Sequence, residues 1–181
     1  SKDAPIELIL PSLYSELEGT ALKNIVSCLS DVKYLNHITI GLDKADKSDF
    51  IKAKKFFSDL NQSHSVIWND SPKMKKLDSD FKKLGIAPNQ PGKGKNVWYC
   101  MGYTYSRNEA GSVALHDCDI TTYNRELLAR LVYPVSNPHF NYEFCKGYYP
   151  RIREGTLSGR VTRLLVTPLL LSLIHISEPT R

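Results

Sequence analysis

The stretch Ser112-Val-Ala-Leu-His-Asp-Cys-Asp-Ile120 is a short apolar run that breaks into two acidic residues, Asp117 and Asp119. Ser112–His116 reads as a buried strand bounded by polar residues, with the acids at its exposed end. Residues two apart project from the same side of an extended chain. Two carboxylates placed this way can share a hard divalent cation that also binds diphosphate oxygens. The same pair can equally end a strand and cap the following turn. Asp-x-Asp alone does not choose between these roles.

Outward from this stretch, strand-like and helix-like segments alternate. Glu7–Leu13 is an apolar run ended by Pro11, and a helix signal follows from Glu18 to Leu29. His37–Leu42 is strand-like and stops at Asp43. Phe50, Ala53, Phe56, Phe57 and Leu60 repeat with a helical period, and Ser65–Trp68 is a third strand. Pro72 opens a Lys-rich helix that stops near Gly85. Beyond a Pro- and Gly-rich loop, Asn96–Ser106 is helical, and Asn124 caps a helix from Arg125 to about Tyr133. Phe144–Tyr149 is strand-like, and a last helix is expected from Ser158 or Gly159. Leu164–Ile174 reads as a core helix. Such alternation implies a mostly parallel sheet with helices on both faces. Ligands of such sheets lie beyond the carboxyl ends of the strands, here Pro11–Glu18, Asp43, Asn69–Asp70 and Asp117–Asp119.

Composition narrows the function classes. The 181 residues are 41% hydrophobic and 24% charged, which fits an ordinary globular protein with one domain as the default. The 24 Lys and Arg exceed the 19 Asp and Glu by 5, without a basic block, which argues against a nucleic-acid arm. The longest apolar stretch falls short of the ~18–20 residues that span a bilayer. Cys28, Cys100, Cys118 and Cys145 show neither zinc nor disulfide spacing and read as buried reduced thiols of a cytoplasmic protein.

Two further segments can hold anions. Gly92-Lys-Gly-Lys-Asn96 precedes a helix, so backbone N–H groups, the helix end and a lysine can meet a phosphate. Lys95 is expected to point to solvent, leaving Lys93 as the contact. Gly159-Arg-Val-Thr162 offers an Arg fork, a hydroxyl and free backbone donors at a helix start. His116 and Tyr148–Tyr149 read as packing residues.

Taken together, LPSLYSELEG, PGKGKN, ALHDCDI and GRVTRLLVTPLL resemble the glucosyl-3-phosphoglycerate synthases and related retaining glycosyltransferases, from about Ile6 to Leu170. The resemblance implies an α/β GT-A fold, a Rossmann-like nucleotide-sugar-binding sheet. It implies metal-dependent transfer of a hexose, glucose first, from a nucleoside-diphosphate sugar to 3-phosphoglycerate. Pro11, Ser12, Leu13 and Glu16 match the family's first nucleotide-binding segment. Asp43 sits where the second strand meets the nucleotide, and Lys93, after Gly92, matches the lysine near the diphosphate. Asp117 and Asp119 match the Asp-x-Asp, whose last Asp holds Mg2+ or Mn2+. Gly159, Arg160, Val161 and Thr162 match the segment that grips the acceptor's phosphate. No residue is a convincing nucleophile, so the resemblance implies front-face attack by the acceptor hydroxyl. UDP against GDP, glucose against mannose, and a homodimer against a monomer stay open.

The family also supplies a later metal-ligating His and a catalytic acid. The only histidines after Asp119 are His139 and His175. Residues 1–170 are therefore expected to be a donor-binding domain, incomplete at its C-terminus and inactive alone. Residues 171–181 (LSLIHISEPTR) resemble a translated sequencing adapter and are expected to be a non-native tail. Two other readings stand beside this one. Asp117-Cys-Asp-Ile-Thr121 also opens a haloacid-dehalogenase-like phosphatase, with Asp117 as nucleophile and Asp119 as general acid/base. A non-catalytic nucleotide-sugar-binding protein is the third.

Overall fold

The computed structural model describes residues 5–140, 142–147, 151–153, 156–158, 165 and 167–177. The chain divides into two compact units, Ser1–Cys145 and Lys146–Arg181. In the first unit β1 (Ile6–Leu13), β2 (Leu35–Asp43), β3 (His64–Trp68) and β4 (Ser112–Leu115) form a parallel sheet, ordered β3-β2-β1-β4. Helices α1 (Thr20–Ser30) and α2 (Lys47–Phe57) connect β1 to β2 and β2 to β3. Helices α3 (Pro72–Lys83) and α4 (Lys93–Arg107) lead from β3 to β4, and α5 (Arg125–Ser136) follows.

The register sorts the side chains onto two faces. Leu8, Leu10, Ile38, Ile40, Leu42 and Ala114 share one face and join Leu22, Ile25, Val26 and Leu29 of α1 in the core. Those α1 residues are spaced at i, i+3, i+4 and i+7, the stripe of a helix buried on one side. Ala53 and Phe57 of α2 and Leu128 and Val132 of α5 complete this layer.

The opposite face sets buried polar residues among Ile9 and Pro11. Glu7, His37, Thr39 and Gly41 point toward α4, whose inner positions are Asn96, Cys100 and Thr104. Asn96 Nδ2 donates to the Gly41 carbonyl at 2.9 Å. The Thr39 and Thr104 hydroxyls meet at 3.5 Å, and Arg107 Nε reaches Glu7 Oε1 at 3.4 Å. His37 lies between Ser63 Oγ (2.9 Å) and Ser65 Oγ (3.1 Å). A buried polar face holds only when its members are paired, because each unmade bond costs ~1–3 kcal/mol.

Several expectations are corrected. Pro11 does not end β1; it pairs with Gly41 and the strand runs on to Leu13. Ile9 accepts from the His116 N–H on the β4 side. Strand residues two apart face the same way, so Pro11's missing N–H falls on that side too, past the end of β4. Strand β4 is not buried: it is the sheet edge, and Val113 and Leu115 are 40% and 38% exposed. Phe144–Gly147 is not a strand, and Tyr148–Tyr149 lie outside the described residues. Ser158 does not start a helix. In the second unit β5 (Arg151–Arg153) pairs antiparallel with β6 (Thr156–Ser158), and α6 spans Thr167–Ser177. Leu169, Leu170, Leu171 and Leu173 are about half exposed, so α6 is no core helix. The cysteines are free, but only Cys100 and Cys118 are buried; Cys28 and Cys145 are half-buried.

Gly41 is where the α4 face has no room. A Cβ there would lie 1.7 Å from Asn96 Oδ1 and 2.5 Å from Cys100 Sγ. Gly41→Ala is expected to destabilise the protein by roughly 1–3 kcal/mol, the usual cost of overpacking. Urea unfolding of the variant against the parent measures it.

Candidate functional site

The four strands are parallel, so their carboxyl ends lie on one side of the sheet. From β1 the chain steps to β2 and β3 in one direction, whereas β4 lies on the other side of β1. That reversal makes a crevice between the ends of β1 and β4, where doubly wound sheets hold their ligands.

The β1 wall is set by a tight turn. After Leu13 the chain enters a 3-10 helix (Tyr14–Glu18), which returns the Glu16 carboxylate to the strand end. Glu16 Oε2 accepts from the Leu13 N–H (2.9 Å) and from Ser12 Oγ (3.2 Å). On the β4 wall the ladder ends at Leu115, and Cys118–Asp119 form a turn rather than a continued strand. His116 and Cys118 are buried, Asp117 is half-buried and Asp119 is exposed. Asp117 and Asp119 therefore do not project together from an extended strand; the turn separates their surroundings.

The third wall is the start of α4. Gly92 caps it with φ of 123°, a conformation open to glycine, and Lys93 is the first helical residue. Lys93 Nζ lies 2.5 Å from Asp117 Oδ1. Burial pushes the Cys118 thiol far up, Glu16's charge adds to this, and a hydrogen bond from Ser12 and the Lys93 charge oppose it. One thiol thus senses Ser12, Glu16, Lys93 and Asp117, the residues the crevice brings together. Held protonated, it is inert as a nucleophile.

Asp43 belongs to a neighbouring cluster at the ends of β2 and β3. Its Oδ1 accepts from Asn69 Nδ2 at 2.8 Å, and Asp70 Oδ2 accepts from the Ala45 N–H at 3.1 Å. Burial raises the Asp43 carboxyl, the Asn69 hydrogen bond opposes this, and Asp70's charge raises it further. Pro11 and Leu13 lie on the last turns of β1. Gly159, Arg160, Val161 and Thr162 lie outside the described residues. Among the described residues no group of three or more His, Cys, Asp or Glu side chains converges as a metal cage.

Lys95 does not point to solvent. Its Nζ sits 2.6 Å from Asp78, which also accepts from Tyr99 Oη at 2.5 Å and pairs with Lys82 at 2.9 Å. The Lys95 and Tyr99 contacts hold the Asp78 carboxyl well below the usual range. This tie joins α3 to the first turn of α4. Asn96 was likewise not singled out by sequence, although Asn96, Cys100 and Thr104 recur every four residues along one buried face of α4.

No family model matches the chain. A glucosyl-3-phosphoglycerate synthase of Persephonella marina is 47% identical over 176 residues, covering 97% of this chain and 43% of that protein. The glucosyl-3-phosphoglycerate synthase of Methanococcoides burtonii is 40% identical over 169 residues, covering 92% of this chain and 41% of that one. Over nearly its whole length the chain is similar to the glucosyl-3-phosphoglycerate synthases. It spans about two fifths of the length of these curated relatives. Two crystal structures of the Mycobacterium tuberculosis glucosyl-3-phosphoglycerate synthase match at TM-scores of 0.51 and 0.52 and 18% identity, over 94% of this chain and 50% of theirs. Both of those contain Mn2+ and UDP, one with glucosyl-3-phosphoglycerate and the other with phosphoglyceric acid. This likeness establishes the fold, the α/β GT-A sheet. No helix among the described residues is long and apolar enough to cross a membrane.

Two buried histidines give the fold an acid limit. Burial and the Arg107 charge push His37 down to about 4, and burial alone pushes His116, whose Nδ1 meets Tyr123 Oη at 3.1 Å, to about 4. Both values lie below the unfolded ~6.5, so from pH 6.5 to 4 the unfolded chain binds more protons. Stability should therefore fall on acidification through that window, by at most about 1.4 kcal/mol per pH unit for each histidine. Urea unfolding from pH 7 to 4.5 checks this, and His37→Asn should reduce the slope whatever it does to stability at pH 7.

Proposed function

We propose that the crevice between β1 and β4 is the donor site of a retaining glucosyltransferase that moves glucose from a nucleoside-diphosphate sugar to 3-phosphoglycerate. The observation that carries this reading is the meeting of Ser12, Glu16, Lys93 and Asp117 at the strand-order reversal of a chain homologous to synthases. The Lys93 ammonium and the N-terminus of α4 suit the diphosphate, since a helix start and a lysine both favour anions. Pro11, Ser12, Leu13, Glu16 and Asp43 line the strand ends on the nucleotide side. The Mycobacterium complexes contain UDP, which makes it the first nucleotide to try.

Asp117 and Asp119 are the residues that would hold a divalent metal, Mn2+ or Mg2+. Their chemistry fits, because Asp117 already carries a cation, the Lys93 ammonium. When bound, such a metal supplies neutralisation of the charge that develops on the leaving diphosphate. Lys93 would stabilise the same charge from the helix side. Gly159, Arg160, Val161 and Thr162 are the acceptor's phosphate site in this reading, with the Arg160 fork and the Thr162 hydroxyl as its main contacts. In this reading the acceptor hydroxyl attacks directly from the donor's front face, as the resemblance to retaining glycosyltransferases implies. No observation favours the phosphatase alternative.

Calorimetry on the chain tests the donor site. Lys93→Ala should lose the ~1.5–3 kcal/mol of a charged hydrogen bond to UDP while leaving uridine nearly unaffected. Asp119→Ala should abolish the gain in UDP affinity that Mn2+ brings. Equal losses for UDP and uridine, or a Mn2+ effect untouched by Asp119→Ala, would refute the assignment.

A further inference from the structure

We propose that Lys93 and Asp117 form an exchangeable ion pair that couples metal binding to diphosphate binding, with the ammonium holding the cation position on Asp117 until a diphosphate draws it away. The inference rests on the donor-site reading above and adds to it how the site is regulated. Nζ and Oδ1 are 2.5 Å apart, yet the two side chains are 53% and 39% exposed. Exposed pairs of this kind are worth little, so exchange is easy. The backbones beneath them are fixed. Lys93 is one turn before Asn96, which is bonded to Gly41, and Asp117 lies between buried His116 and Cys118. Only the side chains need to move, and the lysine has a flexible four-carbon stem.

The surrounding charges make the exchange consequential. With Asp117 paired to Lys93, the exposed Asp119 is the remaining carboxylate of the Asp-x-Asp, a poor site for a hard divalent cation. Lys95 cannot take over from Lys93, because Asp78 holds it. A diphosphate changes both terms at once: it attracts the Lys93 ammonium and adds its own oxygens as ligands. Each ligand then completes the other's site, and the coupling is necessarily reciprocal.

The test is titration of the chain with Mn2+, followed by the electron paramagnetic resonance signal of free Mn2+, with and without UDP. The parent should bind Mn2+ weakly alone and at least about fivefold more tightly with UDP, within the usual range of such couplings. Lys93→Gln should bind Mn2+ alone about fivefold more tightly than the parent and lose most of the UDP gain. Lys93→Arg, which keeps a cation on Asp117, should bind Mn2+ alone as weakly as the parent does. Lys95→Gln, which removes a nearby charge but not the pair, should also leave Mn2+ affinity unchanged. Unaltered or weaker Mn2+ binding by Lys93→Gln, or an equal gain in Lys95→Gln, overturns the ion-pair exchange while leaving the donor site standing. No Mn2+ uptake by the parent even with UDP overturns the donor-site reading and the exchange with it.

Discussion

Everything at the crevice depends on how closely α4 approaches the sheet. Gly41 has no side chain, and the Asn96 amide fills the space a Cβ would take, bonded to the Gly41 carbonyl. An apolar helix could slide over such a surface with little penalty. Here a displaced α4 would leave the buried Asn96 amide unsatisfied, along with the other polar groups of that face. The polar layer therefore trades some hydrophobic stabilisation for a fixed helix position. Lys93, one turn before Asn96, inherits that position, and so does its contact with Asp117.

Much of the sheet was legible in the sequence because its signals are local. Runs such as Glu7–Leu13 and His37–Leu42 are rich in Leu and Ile, with His37 and Thr39 alternating in the second, and Asp43 and Pro72 mark an end and a start. The resemblance over LPSLYSELEG, PGKGKN and ALHDCDI led to residues that the fold then gathers from β1, α4 and the β4 end. Less legible was whatever depends on what lies across the fold. Whether Val113 and Leu115 are covered depends on a neighbouring strand or helix, which no local pattern encodes. Lys95 looked like a second solvent-facing lysine because nothing in GKGKN reveals Asp78, seventeen residues earlier on another helix. Ser158 or Gly159 looked like a helix start, yet Ser158 ends the three residues by which β6 pairs with β5.

The glycine at 92 and the glycine at 41 solve different problems for the same helix. Gly92 supplies a positive φ that lets the chain turn into α4 with its first N–H groups free. Gly41 supplies space at the helix's first full turn. Between them lies the first turn of α4, so backbone freedom at one point and steric restriction at the other together aim Lys93.

Under the proposed function, charge gives such a crevice a use for a cation. Glu16, Asp43, Asp70, Asp117 and Asp119 all lie at the carboxyl ends of the strands, against Lys44 after β2, Lys93 on Asp117 and a Lys95 committed to Asp78. An incoming diphosphate would meet more negative than positive charge there, and at a few ångströms each unfavourable pair costs several kcal/mol at an effective dielectric near ~20. Raising Asp43's affinity for a proton is one small relief that burial already provides. A single lysine cannot both neutralise Asp117 and serve the diphosphate. Under the proposed function the imbalance is removed by a divalent ion, which satisfies the carboxylates at the β4 end and releases Lys93 for the helix side of the donor. In that reading the placement of charges favours a metal-bound diphosphate over a bare one, because the metal frees the one lysine that both Asp117 and the donor would otherwise share.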